Sequence, residues 1–312
     1  MEIIEVDSVY YDSVFSEPNH CFNSGAFNSL NEKKCEKVFY LIFKDTKIRL
    51  GIILGLTNAT LYSPFSAPFG GFQCVSSDIR LQQIDKALEA FKKWSKNKNF
   101  KEIKLVHPPY FYNENFLNKL HNCLYRAGFS SINSELNYQI STKKIDSIYQ
   151  QNIWKNANKN LKKALNSDLI FEKIESNRGL EAYEIIAQNR IEKGFPLHMN
   201  WESILETQSI INIDFFIVNK EEYAIGSAIV FHITSKVVQV VYWGDLSEFS
   251  QFKTMNFLSY NLFQYYKKQG IEIIDIGPST KKSIPNFGLC EFKESIGCDI
   301  SIKSEFFINK FD

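Results

Sequence analysis

YLIFKDTKIRLGIILG at 40–55 and FFIVNKEEYAIGSAIVF at 215–231 decide how this chain is built. Each is an apolar run, a short polar turn and a second apolar run with a glycine inside it, the pattern of a β-hairpin. Outward from both, one order of elements recurs. A strand runs into a loop, a long amphipathic helix follows, a strand ends at a proline turn, a short helix is stopped by glycine, and a last strand closes the set. Gly51 and Gly226 lie 175 residues apart, and Gly128 and Gly297 lie 169 apart, so the period is that of a domain. Solenoid repeats are far shorter, about 20–50 residues. The expectation is two tandem α+β domains, 1–142 and 143–312.

Composition supports two packed cores. The chain has 312 residues, 44% hydrophobic and 15% aromatic, ample apolar material to bury. Lys plus Arg number 36 against 35 Asp plus Glu, a formal charge of +1, so no overall field draws the protein to DNA or acidic lipid. Only local basic surfaces remain open to such partners. Cys21, Cys35, Cys74, Cys123, Cys290 and Cys298 form no CxxC pair and the histidines are dispersed, so no metal is expected. The start, MEIIEVDSVYYDSV, has neither a basic head nor a long apolar run, and no stretch reaches the roughly 18 apolar residues of a spanning helix. A cytoplasmic protein without membrane insertion is expected.

In the first half, Ile84, Ala87, Leu88, Phe91 and Trp94 fall at helical spacing, with Asp78 read as the N-cap. The strand IKLV at 103–106 runs into His107-Pro108-Pro109, which cannot continue a central ladder. Phe116, Leu117, Leu120, Cys123, Leu124 and Ala127 then stripe a second helix, with Gly128 as its left-handed cap, and ELNYQIS at 135–141 closes the half. Residues 143–167 read as a basic helical connector carrying Lys155, Lys159, Lys162 and Lys163. In the second half, helices are expected near 179–193 and 200–209, and VVQVVYWGD at 237–245 reads as a central strand covered on both faces. IEIIDIG at 271–277 leads into Pro278-Ser279-Thr280, and GLCEFKESI at 288–296 forms a short helix before the closing strand ISIKSEFFI at 300–308.

With these elements in order, the chain resembles the Gcn5-related N-acyltransferase (GNAT) superfamily, and its tandem arrangement resembles the FemAB-like branch. The resemblance spans nearly the whole chain and rests on the duplication, on SPFSAPFGGF at 63–72, and on DIGPST at 275–280 followed by FGLCEFKESIG at 287–297. It implies two GNAT-like domains, each a mixed, mainly antiparallel sheet flanked by helices. It also implies an acyltransferase that moves an acyl group from acetyl-CoA or another acyl-CoA to an amine acceptor such as an amino sugar, a cell-wall or lipid precursor, or a small amine. An aminoacyl-tRNA donor, with the connector lysines on RNA phosphates, is the same-class alternative; a non-catalytic binding module is the other. Two features depart from the pattern. QFKTMN at 251–256 lacks the glycines of the Q/R-x-x-G-x-G/A loop that holds the coenzyme A pyrophosphate in classical members, and the helical hairpin of some peptidoglycan-bridge enzymes is absent.

The candidate site residues each carry two readings. The resemblance puts Lys293, in the Phe-Lys pair, at the donor site to hold a phosphate or the transition-state oxygen; otherwise it is a solvated lysine. Asp275, alone in an apolar strand, is a base with a raised pKa or the cap of the following turn. Ser279 and Thr280 offer hydroxyls to a substrate or leaving group, or simply form the turn. Lys253, Thr254, Met255 and Asn256 begin a helix whose free N–H groups favour a pyrophosphate, or are plainly capped. Trp243, Gly244 and Asp245 line an acyl or acceptor pocket, or are a core aromatic and a turn. Phe69, Gly70 and Gly71 permit close backbone approach to a substrate, or make a tight turn. Arg190, His198 and Asn200 sit at the acceptor side, where His198 is a base or incidental. Because DIGPST and the FGLCEFKESIG segment that carries the Phe-Lys pair occur only in the second half, the first half reads as a degenerate copy that shapes the acceptor cleft.

Overall fold

The computed structural model describes residues 1–311. In chain order the strands are β1 (Glu2–Val6), β2 (Lys37–Lys44), β3 (Ile48–Thr57), β4 (Thr60–Ser63), β5 (Gln73–Cys74), β6 (Glu102–Val106), β7 (Ser130–Ser141), β8 (Leu169–Ile174), β9 (Ile213–Lys220), β10 (Tyr223–His232), β11 (Val237–Asp245), β12 (Ile273–Pro278), β13 (Thr280–Lys281), β14 (Ile284–Pro285) and β15 (Asp299–Ile308). The helices are α1 (Ser8–Val14), α2 (Gly25–Leu30), α3 (Leu81–Asn97), α4 (Glu114–Arg126), α5 (Tyr149–Asn152), α6 (Lys155–Leu165), α7 (Gly179–Lys193), α8 (Trp201–Gln208), α9 (Thr254–Lys268) and α10 (Phe287–Ser295). The class is α+β, as read from the sequence. Among the described residues no helix is long and apolar enough to cross a membrane.

Packing divides the chain into two compact units. Unit 1 comprises Met1–Leu136, Thr280–Ile284 and Ser301–Asp312; unit 2 comprises Asn137–Ser279 and Pro285–Ile300. Unit 1 arranges its strands β1-β2-β3-β4-β6-β15, and unit 2 arranges β8-β9-β10-β11-β12-β7. The duplication is plain in this order. A hairpin, β2–β3 or β9–β10, leads to one parallel pair, β4 with β6 or β11 with β12, in an otherwise antiparallel set.

The closing strands are where the structure departs from the expectation that each half ends on its own. Glu305–Ile308 of β15 pairs antiparallel with β6, and Asn137–Ser141 of β7 pairs antiparallel with β12. The sequence cut at 142/143 follows the chain, whereas strand pairing follows this exchange.

Unit 1 packs α3 and α4 against one sheet face through Ile84, Leu88, Phe91, Phe116, Leu120 and Leu124, all within 1% of full burial. Each such side chain contributes roughly 1.5–3 kcal/mol by leaving water. The other face is covered by α1, where Tyr11 and Phe15 meet Tyr40, Ile42 and Ile53. Helix α3 starts later than expected. Its cap is Arg80, whose backbone N–H donates to Gln83 Oε1, and Asp78 lies outside the helix. Gly128 and Gly297, the equivalent glycines after α4 and α10, both adopt left-handed φ, +89° and +87°. A β-carbon is disfavoured there, which explains why the repeat keeps glycine at both ends.

Candidate active site

In unit 2 the parallel ladder between β11 and β12 is short. It pairs Val237 with Ile273, Val238 with Ile274 and Gln239 with Asp275, then stops, while β11 continues to Asp245. The end of the ladder holds a buried polar knot. Asp275 is fully buried; its Oδ1 accepts from Asn137 Nδ2 at 2.7 Å and from the Gly277 N–H at 2.8 Å, and its Oδ2 accepts from Gln239 Nε2 at 2.8 Å. The bond to Gly277 caps the turn that follows and coincides with a register shift between Asp275 and Gly277 in the β12–β7 pairing. An anion with three donors is stabilised as an anion, and its lone pairs are engaged where a base would need one exposed.

Lys293, on α10, is 2% exposed rather than solvated. Its Nζ donates to the carbonyls of Ile276 and Gly277 at 2.9 Å and of Pro278 at 3.2 Å, and lies 5.3 Å from the Tyr138 ring centroid. The ammonium therefore takes up the carbonyls that the end of β12 would otherwise leave unpaired inside the protein. Burial pushes its pKa down to about 8 despite the opposing pull of the Cys298, Asp275 and Cys290 side chains. All three N–H bonds are engaged, so a phosphate or oxyanion reaches this lysine only by displacing a carbonyl. Beside it, Tyr138 donates to Glu294 Oε1 at 2.9 Å.

Ser279 follows directly. It is 3% exposed, its carbonyl accepts from the Asn286 N–H, and its Oγ is buried without a hydrogen-bond partner. Thr280 is used differently: its hydroxyl donates to the Glu135 carboxylate and accepts from the Leu136 N–H, within unit 1. Trp243, beyond the last β11 residue that pairs with β12, is 9% exposed and meets Phe292 of α10 edge to face at 6.0 Å. The Asn189 side chain lies so close to Gly244 that a β-carbon there would approach it to 2.6 Å, and Asn189 Nδ2 donates to the Asp245 carbonyl. Burial raises the Asp245 pKa.

Lys253 precedes α9 in a left-handed conformation, φ +59°. Its carbonyl takes the N–H groups of Asn256 and Phe257, leaving those of Thr254 and Met255 without an acceptor among the described residues. Two open N–H groups are fewer than a glycine-rich loop offers an anion. The Thr254 hydroxyl is also buried and unpartnered.

On α7, the Arg190 guanidinium sits 5.8 Å from the Tyr242 ring centroid, and burial depresses its pKa. No carboxylate pairs with it among the described residues. Tyr242 accepts from the Met199 N–H, which ties the 194–200 segment to β11. His198 is exposed, and Asn200 is the side-chain cap of α8, its Oδ1 accepting from the Ser203 N–H. Phe69, Gly70 and Gly71 lie buried in unit 1. Gly70 N–H bonds to the Val106 carbonyl and Gly71 N–H to Ser63 Oγ.

Asp275, Ser279, Lys293 and Trp243 thus collect around the ends of β11 and β12, whereas Phe69, Gly70, Gly71 and Thr280 belong to unit 1. Asn137, Gln239, Tyr138 and Glu294 were not singled out from the sequence. A signal existed for one: Gln239 interrupts the apolar run VVQVV.

No protein-family model matches the chain, and no curated protein matches it in sequence. Solved structures do. The chain superposes on FemX with TM-score 0.70 at 12% identity, covering 100% of this chain and 98% of that one. The chain has the fold of FemX. L-PGS from Bacillus licheniformis shares this fold with TM-score 0.61 at 12% identity, over 98% and 93% of the two chains. A tandem GNAT protein from the clavulanic acid biosynthesis pathway, solved without AcCoA, matches with TM-score 0.55 at 6% identity, over 98% of each chain. Among the described residues no group of side chains suited to a metal ion is present.

Proposed function

We propose that the chain transfers an acyl or aminoacyl group from an activated carrier to an amine acceptor that bears an anionic group. The observation that carries this reading is the end of the β11–β12 ladder, where a buried, unpartnered Ser279 hydroxyl stands beside the Lys293 carbonyl clamp. A hydroxyl with no partner in a dry site is a preorganised donor for a developing oxyanion. The amine nitrogen attacks the acyl carbon, the carbon–sulfur or carbon–oxygen bond to the carrier breaks, and the amine proton passes to the leaving group. No covalent enzyme intermediate is invoked: Cys298 is half-buried and desolvation pushes its pKa up to about 12, so its thiolate is disfavoured.

Acyl-coenzyme A is the first carrier to test, with its pyrophosphate at Thr254 and Met255. Calorimetry with acetyl-coenzyme A and coenzyme A is expected to give a dissociation constant of roughly micromolar to sub-millimolar size, about −8 to −5 kcal/mol. A second reading, an aminoacyl-tRNA carrier, is favoured by α6, where Lys155, Lys159, Lys162 and Lys163 are all exposed and no acidic residue occurs from Ser147 to Ser167. No heat with coenzyme A together with a salt-sensitive gel shift by charged tRNA would select it.

Arg190 supports an anionic acceptor. A half-buried guanidinium with no carboxylate partner suits a carboxylate or phosphate held by paired N–H bonds, a geometry lysine does not reproduce. With acetyl-coenzyme A as donor and thiol release as readout, glucosamine 6-phosphate is expected to outperform glucosamine. Arg190→Lys should raise KM for the phosphorylated amine about tenfold or more with little change in kcat. Equal use of both amines by the unmodified enzyme would remove the anionic group from this reading.

A further inference from the structure

Unit 1 contains two histidines in surroundings that imidazoles rarely occupy. His20 is 1% exposed and His107 4% exposed; both ring nitrogens of His20 and Nε2 of His107 are buried without a hydrogen-bond partner at bonding geometry. Nearly all buried polar atoms in native proteins are paired, so three orphaned ring nitrogens in one cluster call for an explanation. The surroundings are apolar or neutral. The His20 ring packs on Phe69 at 4.8 Å, Phe22 at 6.0 Å and Tyr112 at 6.3 Å; the His107 ring packs on Phe306 at 5.1 Å. The loop joining β4 to β5 is in contact with both. Phe69 is the nearest ring to His20, and a β-carbon on Gly71, φ +87°, would come within 2.5 Å of the His107 ring.

We propose that unit 1 holds an acid-sensitive lock: His20 and His107, packed as neutral rings against the Ser63–Phe72 loop, release that loop when either takes up a proton. An imidazolium needs two acceptors, and among the described residues neither nitrogen of His20 nor Nε2 of His107 has one at bonding geometry. The titratable groups that face them are each other, His121 and Tyr110 on the His107 side, and Tyr112 on the His20 side. The Gly70 backbone beside His20 favours its charged form, but burial outweighs it. Among the described residues no carboxylate bonds to the unpartnered ring nitrogens: Glu305 accepts from Asn133, and the Lys303 ammonium donates to the Pro68 carbonyl in the same loop.

Burial lowers both pKa values, from 6.5 to about 3. The closed loop therefore binds fewer protons than the open one, and acid favours opening from about pH 6.5 down to about pH 3. At pH 5 each ring shifts the balance toward opening by roughly 30-fold, and the two together by about 1,000-fold. Unit 2 provides an internal reference, because His198 is exposed and His232 Nε2 is bonded to Asp214.

Hydrogen exchange of the full chain at pH 7 and pH 5, corrected for the intrinsic rate, tests this. Peptides covering 18–24, 63–72 and 107–112 are expected to lose protection at pH 5 by two to three orders of magnitude, while those covering β9–β11 keep it. His20→Phe, which fits an aromatic site, and His107→Gln should each restore about 30-fold of the loss. Unchanged protection in the unmodified protein overturns the lock, as does an equal loss in the variants. If His20→Phe does not fold, the ring resonances of the unmodified protein decide: titration of either histidine near pH 6.5 in the folded protein overturns it, and its absence down to pH 5 supports it.

Discussion

Lys293→Ala is expected to abolish transfer and to lower stability by about 3–5 kcal/mol, because it empties a buried site and leaves the carbonyls of Ile276, Gly277 and Pro278 without their donor. Lys293→Arg should not rescue it, since a planar guanidinium does not fit three carbonyls converging on one nitrogen. The sharper measurement uses pH. The lysine's pKa is near 8 in the fold and 10.5 when free, so the unfolded chain binds more protons between these values. Its contribution to stability therefore rises with pH from about 8 toward 10.5, by at most about 3 kcal/mol. Above about pH 10 the buried tyrosines Tyr11, Tyr149 and Tyr266, whose pKa values burial raises, pull the other way. Denaturant melts of the unmodified protein and Lys293→Met between pH 8 and pH 10 isolate the effect. The difference should grow by about 2 kcal/mol in favour of the lysine protein; a flat difference would mean that the fold does not lower the pKa of Lys293.

Asp275→Ala is the second large effect. It leaves the Asn137 and Gln239 amides and the Gly277 N–H facing one another with no acceptor, and should cost about 3–5 kcal/mol in a denaturant melt. Asp275→Asn keeps the volume and one acceptor oxygen, so a loss of about 1–2 kcal/mol is expected. The two buried charges are coupled. Asp275 holds up the pKa of Lys293, so in Asp275→Asn the alkaline window should begin below pH 8. A window that stays in place would show that the two charges do not interact. If Asp275 were instead a solvated base, Asp275→Asn would leave stability unchanged and remove only turnover.

The exchange of closing strands shows where local pattern stops specifying structure. ELNYQIS and ISIKSEFFI are alternating strands of similar length. Each offers an equally suitable edge, and nothing in either says whether its neighbour is β6 or β12. The helices were legible for the opposite reason. Apolar stripes at 84–94 and 116–127 have one period and one compatible face, and glycine at 128 and 297 marks stops that the backbone requires. Only the cap of α3 was misplaced, because Arg80 and Gln83 cap it by a backbone bond that residue type does not announce.

The candidate site divides in the same way. That Asp275, Ser279 and Lys293 belong together could be read from DIGPST and the Phe-Lys pair, because strand, turn and short helix are contiguous in the chain. Whether each is a reacting group or part of the frame depends on partners that sequence does not show. Asp275 meets Asn137, 138 residues away, and the Lys293 ammonium is saturated by backbone carbonyls, which every residue possesses. The duplicated order, the fold class and the extents of the hairpins were thus fixed by local periodicity and glycine placement. Strand exchange, the burial of Lys293, the orphaned rings of His20 and His107 and the unpaired Arg190 were decided by tertiary packing, because each depends on what arrives from a distant part of the chain to meet, or fails to meet, a polar group.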